Sequence, residues 1–193
     1  MKIFINPGHG GTDPGACGND LKERDVVLKI GKRVEGYLRA VGYDVKLFQY
    51  DGLGEICTAA NDYRADLFVS IHCNAANGKA RGTETYCFYG SSNGRELANA
   101  IQRQLVDSID TLDRGVKEAG FAVLSGTNMP AALVETAFID NAQDARLLVE
   151  HEDDFAKAIA RGITDYLADD KPLPDVIDTP TEKTCPYCGQ NIK

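Results

Sequence analysis

Short runs of β-branched and aromatic residues alternate along this chain with longer stretches in which apolar residues recur every three or four positions. The short runs predict strands and the longer stretches predict helices. Such alternation is typical of a parallel or mostly parallel sheet that is covered by helices on both faces. We therefore predict an α/β fold with one domain and a central sheet of about six strands. The predicted strands span residues 2–6, 43–48, 66–74, 82–89, 121–124 and 131–138.

The first predicted helix shows the helical period most clearly. Its apolar positions lie three or four residues apart, at Val27, Ile30, Val34 and Leu38. It stops at Gly42, a residue suited to the left-handed end of a helix. Further helices are predicted over residues 54–63, around the apolar positions between 97 and 109, and from a capping residue at Asn141 to about residue 167.

The composition changes near residue 168, where the regular pattern of apolar positions ends. Four of the seven prolines lie beyond this point. We predict a folded domain over residues 1–168, a proline-rich linker over 169–184 and a short tail over 185–193. Cys185 and Cys188 have the CxxC spacing of half a zinc ribbon, which normally needs two more ligands. A metal-binding tail and a reduced tail without metal both remain open.

The charge of the chain limits its partners. It has 21 basic and 29 acidic residues, for a formal net charge of −8. Nucleic acid and anionic lipid are both negatively charged and bind through Lys and Arg. The acidic excess of this chain would repel them, so we expect neither as a partner. No segment approaches the length of a membrane span, and nothing like a signal peptide follows Met1. We therefore expect that the protein does not insert into a membrane. We also expect that it is made without a secretion signal.

Four cysteines are scattered through the predicted domain, unlike the crowded cysteines of a small disulfide framework. We expect these four to be reduced thiols, most of them buried: Cys17, Cys57, Cys73 and Cys87. A cysteine-based redox sensor would need a thiol made acidic by nearby cations or a helix start. The sequence singles out no such thiol.

Two of the three histidines lie at the carboxyl ends of predicted strands, at the sheet edge where open α/β folds bind ligands. His9 stands in a glycine-rich loop directly after the first strand, and His72 lies near the end of the apolar run over residues 66–74. The loop lacks the Lys-Ser/Thr pair of a phosphate-binding loop, which argues against a phosphate site. Each histidine taken alone could be a hydrogen-bonded structural residue. His151 lies in an acidic stretch and is expected to face solvent.

Two glutamates complete the candidate chemistry. Glu23 lies in the first turn of the first helix, where the helix dipole favours a carboxylate even without a function. Two neutral imidazoles, one carboxylate and an open fourth position are nevertheless the ligand set of many catalytic zinc sites. Glu135 is the only acid in the apolar strand 131–138, where an ionised carboxylate is costly without a partner. That partner could be a divalent metal with its water, or a Lys or Arg in a structural salt bridge.

Six segments, in this order, resemble the type 3 family of zinc-dependent N-acetylmuramoyl-L-alanine amidases, and the resemblance runs from residue 2 to about residue 167. Six motifs in order are far more specific than any one of them. They are Asn6-Pro-Gly-His-Gly-Gly, Asp13-Pro-Gly-Ala, Leu21-Lys-Glu-Arg-Asp, Ser70-Ile-His-Cys-Asn-Ala, Arg114-Gly-Val-Lys and Met129-Pro-Ala-Ala-Leu-Val-Glu.

The resemblance implies a zinc ion held by His9, Glu23 and His72, and a catalytic glutamate at Glu135. It also implies bacterial peptidoglycan as the substrate, with cleavage of the amide that joins the lactyl group of N-acetylmuramic acid to the L-alanine of the stem peptide. The chain has neither the secretion signal nor the wall-binding repeats of many family members. The resemblance therefore implies a protein that is made inside the cell and acts on the cell wall after release.

Other functions remain open at this point. Another zinc-dependent amide hydrolase, such as a carboxypeptidase or a poly-glutamate hydrolase, could use the same ligand chemistry. A non-catalytic wall-binding regulator could keep the fold, but it would typically lack a ligand or the catalytic glutamate, and all four residues are present here.

Overall fold

The computed structural model describes residues 1–169 together with two short antiparallel strands, Lys183–Thr184 and Asn191–Ile192. Cys185 and Cys188 lie outside the described residues. The same holds for most of the predicted linker over 169–184 and of the tail over 185–193. The prediction of a metal-binding tail therefore stays a prediction.

Six strands form the central sheet, and a small hairpin lies between the first strand and the first helix. The sheet order is β4-β1-β5-β8-β6-β7. All neighbours in this sheet pair in parallel except β6 and β8, which are antiparallel. The prediction of a mostly parallel sheet of about six strands is confirmed. The strands are β1 (Lys2–Pro7), β2 (Cys17–Gly18), β3 (Leu21–Lys22), β4 (Asp44–Leu47), β5 (Leu67–Asn74), β6 (Thr83–Cys87), β7 (Asp113–Glu118) and β8 (Ala131–Phe138).

Helices cover both faces of the sheet, because successive side chains of a strand point to opposite faces. In β1, Ile3 and Ile5 join the larger core beneath α1, α3 and α6, while Phe4 joins the smaller core beneath α2 and α4. Phe4 stacks on Phe68 of β5, with ring centroids 5.7 Å apart. The helices are α1 (Glu23–Ala40), α2 (Leu53–Tyr63), α3 (Ser92–Ser108), α4 (Ala122–Ser125), α5 (Ala142–Glu150) and α6 (Glu152–Asp169).

The sixth strand was predicted in the wrong place. Residues 121–124 form most of the short helix α4, and the sixth strand is β7 instead. A short apolar run does not distinguish a strand from a buried helical turn, and here Val123 and Leu124 pack against α2. Strand β7 has only one apolar residue, Val116, because it lies at the edge of the sheet and is only partly buried.

The last predicted helix is in fact two helices. Asn141 caps α5 as predicted, since its side chain accepts hydrogen bonds from the backbone N–H groups of Gln143 and Asp144. The helix α5 then ends at Glu150, with His151 as its C-cap, and α6 begins at Glu152. His151 is exposed, as predicted.

The four cysteines of the main domain are free thiols, and all except Cys17 are buried. Cys73 points away from the His72 side of β5, and its sulfur lies 3.4 Å from Thr136 Oγ1. Burial raises the pKa of the Cys73 thiol well above its usual range. Among the described residues, no helix is both long enough and apolar enough to cross a membrane.

Candidate active site

His9 lies in the loop after β1, with its backbone in the left-handed region at a φ of 58°. Its Nδ1 is 2.7 Å from Asp13 Oδ2, and the other oxygen of Asp13 accepts a hydrogen bond from the backbone N–H of Gly15. Such a carboxylate partner fixes the orientation of an imidazole ring. The Nε2 atom of His9 therefore points to the opposite side, toward Glu23.

His72 lies near the carboxyl end of β5, which pairs in parallel with β1. Because parallel strands end at the same edge of a sheet, the loop after β1 and the end of β5 meet there. The ring centroids of His72 and His9 are 5.2 Å apart. The two histidines therefore lie at one edge of the sheet, as predicted.

Glu23 is the first residue of α1 and lies between the two imidazoles, with only 3% of its surface exposed. Its Oε2 is 3.0 Å from His9 Nε2, and its Oε1 is 2.9 Å from His72 Nδ1. The backbone N–H groups of Ala16 and Cys73 donate to the same two oxygens. Both oxygens are thus held in place by the backbone as well as by the rings.

One ligand atom each from His9, Glu23 and His72 lies within 4.8 Å of the others. In a tetrahedral zinc site with bonds of about 2.0–2.1 Å, neighbouring ligand atoms lie roughly 3.3 Å apart. The separations of 3.0 and 2.9 Å between the carboxylate and the two ring nitrogens are close to this value. The three side chains therefore lie close enough together to converge on one metal ion.

Two glycines make room for this cluster. A Cβ atom at Gly8 would overlap the ring of His72. At Gly15, where φ is +66°, a Cβ atom would lie 2.6 Å from Glu23 Oε2 and 2.6 Å from His9 Cδ2. Glycine is required at both positions if the three ligand side chains are to converge.

Glu135 lies in β8, in register with His72 on the neighbouring strand β5. Its Oε2 is buried and has no hydrogen-bond partner. No lysine or arginine in the described part of the chain pairs with Glu135, so the structural salt bridge considered above is absent there. An unpaired buried carboxylate oxygen is costly, and such groups are typically found where a ligand or a reacting group supplies the partner.

His9, His72 and Glu135 line one cleft of about 370 Å³, and Glu23 lies buried behind the two histidines. The walls of the cleft include Tyr50 and Asp51 from the segment after β4, and Phe121 from the segment before α4. The cleft thus brings two possible metal ligands and an acid with a buried oxygen to the same space.

A family model of N-acetylmuramoyl-L-alanine amidases matches residues 3–165. The chain belongs to this family. The predicted resemblance and the α/β fold are confirmed.

Relatives and solved structures agree with the assignment. The chain is 44% identical to the N-acetylmuramoyl-L-alanine amidase LytC of Bacillus subtilis over 85% of its own length, but it spans only 35% of LytC. It is 39% identical to the endolysin of Bacillus phage SPP1, over 86% of this chain and 65% of the endolysin. The structure of the amidase AmiC2 of Nostoc punctiforme superposes with a TM-score of 0.82 at 37% identity, covering 86% of this chain and 97% of that one.

His9 and Glu23 shift each other's pKa in opposite directions in this family member. The pKa of His9 is raised to about 9, chiefly because its ring bonds to Glu23 and in spite of its partial burial. Burial alone would raise the pKa of Glu23, but the hydrogen bonds from His72 and His9 outweigh it and hold that pKa well below its usual range. A metal ion that binds here must displace the proton of His9, so binding releases a proton.

The pKa of Glu135 is shifted upward, in the opposite direction to the pKa of Glu23. Burial raises the pKa of Glu135 to about 8, and the negative charges of Glu23 and Glu84 add to this effect. In the metal-free amidase, Glu135 therefore keeps its proton at neutral pH.

A third glutamate, Glu84, lies in β6 in register with Glu135 and was missed in the sequence. Its Oε2 accepts hydrogen bonds from Arg114 Nε at 2.8 Å and from Lys117 Nζ. Its Oε1 accepts from Asn74 Nδ2 and from the hydroxyl of Tyr86, each at 2.8 Å. Burial raises the pKa of Glu84, but these donors outweigh it and lower the pKa overall, so Glu84 is ionised at neutral pH.

Asp13 was also missed as a partner of His9, although it belongs to one of the quoted motifs. Its spacing of four residues after His9 was a usable signal, since a short glycine-rich loop can turn an acid back onto the histidine. For Glu84, the position in β6 gives no comparable signal, because its two cations come from a strand that the sequence did not predict.

Proposed function

We propose that this amidase hydrolyses the amide between the lactyl group of N-acetylmuramic acid and the L-alanine of the stem peptide in bacterial peptidoglycan. We also propose that His9, Glu23 and His72 hold a zinc ion and that Glu135 is the general base and acid. The observation that carries this proposal is the unpartnered, buried oxygen of Glu135 in the cleft that His9 and His72 line, where both histidines converge on Glu23.

Zinc is the metal that suits this donor set best. Calcium and magnesium prefer sites made of oxygen ligands alone, whereas two imidazoles and one carboxylate are typical of catalytic zinc. When bound, zinc would polarise the scissile carbonyl and lower the pKa of water in the cleft. The Asp13 carboxylate would keep the ring of His9 in the orientation that this requires.

Glu135 would do the proton transfers. It would take a proton from the attacking water and give it to the amine of L-alanine, because an amide nitrogen is too poor a leaving group to depart unprotonated. A pKa near the working pH favours both directions of transfer, and in the metal-free protein burial shifts the pKa of Glu135 upward from its ordinary value, toward that range. The cycle needs no covalent intermediate with the protein.

The cell wall is the proposed place of action, and the acidic character of the chain gives no support to a nucleic acid partner.

Product analysis on purified muropeptides tests the proposed bond. Intact glycan and a free stem peptide that begins with L-alanine are the expected products. Release of a single terminal amino acid would identify a carboxypeptidase, and cleavage at the glutamyl residue would identify a poly-glutamate type of hydrolase. Either of these results would overturn the proposal while leaving the family assignment in place.

A further inference from the structure

A cationic pair lies beside the cleft, on the side of β6 and β7. Arg114 and Lys117 both pair with Glu84, so two positive charges meet one negative charge. Only 3% of the Glu84 side chain is exposed, compared with 30% for Arg114 and 38% for Lys117. What this cluster presents to solvent is therefore its excess positive charge.

The pair is held in position by more than Glu84. The guanidinium of Arg114 lies over the ring of Phe138, 4.9 Å from its centroid, and its Nη1 donates to the backbone oxygen of Arg81. A guanidinium has five N–H donors in a fixed plane, so several stay available for an incoming anion. The Lys117 ammonium lies over the ring of Tyr86, 5.8 Å from its centroid.

The distance between the strands that carry Glu135 and Glu84 is close to the length of one residue in a bound peptide. Glu84 and Glu135 are register partners on neighbouring strands, which lie about 4.8 Å apart. An extended residue advances the chain by about 3.3–3.6 Å. If the scissile amide is at Glu135, a group on the residue after L-alanine thus comes within reach of the cations that bind Glu84.

Two acidic side chains, Asp13 and Asp51, line the opposite side of the cleft, and Asp13 is paired there with His9. The excess positive charge that would attract a peptide carboxylate lies instead on the side of Arg114 and Lys117. The charge distribution therefore gives the bound stem peptide a direction, across β6 toward the edge strand β7.

We propose that Arg114 and Lys117 form a subsite that binds a carboxylate on the residue that follows L-alanine in the stem peptide. This inference rests on the proposed function, since it places L-alanine at Glu135. Charged side chains on an edge strand also discourage pairing with other chains, and that role alone would not depend on the substrate.

The test compares two soluble substrates that differ at one group. Both are muramoyl tripeptides with L-alanine, a γ-linked D-glutamyl residue and L-lysine; one carries a free α-carboxylate on the second residue, and the other carries a carboxamide. For the unmodified enzyme, kcat/KM should be higher for the acid, by roughly three- to tenfold, the size of a partly exposed ion pair. The quantity to follow is the ratio of the two kcat/KM values.

Three variants move this ratio in stated directions. Arg114→Gln and Lys117→Gln each remove one positive charge and should bring the ratio toward one. Glu84→Gln removes the competing negative charge and should raise the ratio, even if the variant is less stable. Arg103→Gln is the matched control, because it removes an exposed cation that pairs with Asp165, away from the cleft. Its ratio should equal that of the unmodified enzyme.

The possible failures are distinguishable. If neither tripeptide is cut between the lactyl group and L-alanine, the proposed function is wrong. If both are cut and the ratio stays the same in Lys117→Gln and Glu84→Gln, the subsite is wrong although the function stands. Should Arg114→Gln fail to fold, the opposite shifts expected for Lys117→Gln and Glu84→Gln still decide the question.

Discussion

Glu135 on β8 is in direct register with His72 on β5, so a partly buried acid lies one strand away from a possible metal ligand. Both side chains line the same cleft. Glu23 closes the arrangement, with an oxygen 2.9 Å from His72 Nδ1. The relationship follows from parallel pairing, which brings the carboxyl-terminal ends of both strands to one edge.

Removing either histidine should remove the metal. His9→Ala or His72→Ala leaves two protein ligands, which is an incomplete set for zinc. We expect about one zinc per chain in the unmodified main domain and none in either variant after dialysis, with loss of activity. Elemental analysis together with a circular dichroism spectrum makes the measurement. A folded variant that keeps zinc or full activity would remove that histidine from the ligand set.

Asp13 should act on the metal through His9. Asp13→Asn keeps the shape of the side chain but weakens its bond to His9 Nδ1, and loss of such a partner typically lowers metal affinity about 10- to 100-fold. Asp51→Asn is the matched control, because it removes the same charge from the cleft wall without touching His9. Zinc affinities from a competition titration check this. Equal affinities in the two variants would mean that Asp13 acts only through its charge.

The main parts of this site could be predicted from the sequence because they depend on local pattern. His9 follows β1 and His72 lies near the carboxyl end of β5, and the edge at which parallel strands end was evident from the order of elements. Ring orientation and the bond between His9 and Asp13 depend on the path of the loop. The pairing of Glu84 with Arg114 was not predictable, since β7 is a polar edge strand without a hydrophobic run.

The stability of the metal-free protein should fall as the pH rises. Glu135 has a folded pKa of about 8, above the value of 4.5 for an unperturbed glutamate. Its contribution to stability is therefore fully present below pH 4.5 and is lost as the pH rises through about 8. His9, with its pKa raised from 6.5 to about 9, acts in the same direction at higher pH.

The variant Glu135→Gln separates the effect of Glu135 on the pH dependence of stability from the effect of His9. Melting temperatures of both metal-free proteins between pH 5 and about 8.5 should diverge, with the unmodified protein losing more stability as the pH rises. His9 is present in both proteins, so the difference comes from Glu135 together with its weaker interaction with His9. Two parallel curves would show that Glu135 has an ordinary pKa.

Glu135→Gln also tests the central claim most directly, when bound zinc, melting temperature and turnover on a defined muropeptide are measured on one preparation. The substitution keeps the shape of the side chain and removes its ability to accept a proton, while His9, Glu23 and His72 remain to hold zinc. We predict a folded protein with normal zinc content whose turnover is lower by about a hundredfold to ten-thousandfold, the usual loss for a general acid-base. Near-normal turnover in a folded, zinc-loaded variant would contradict the account.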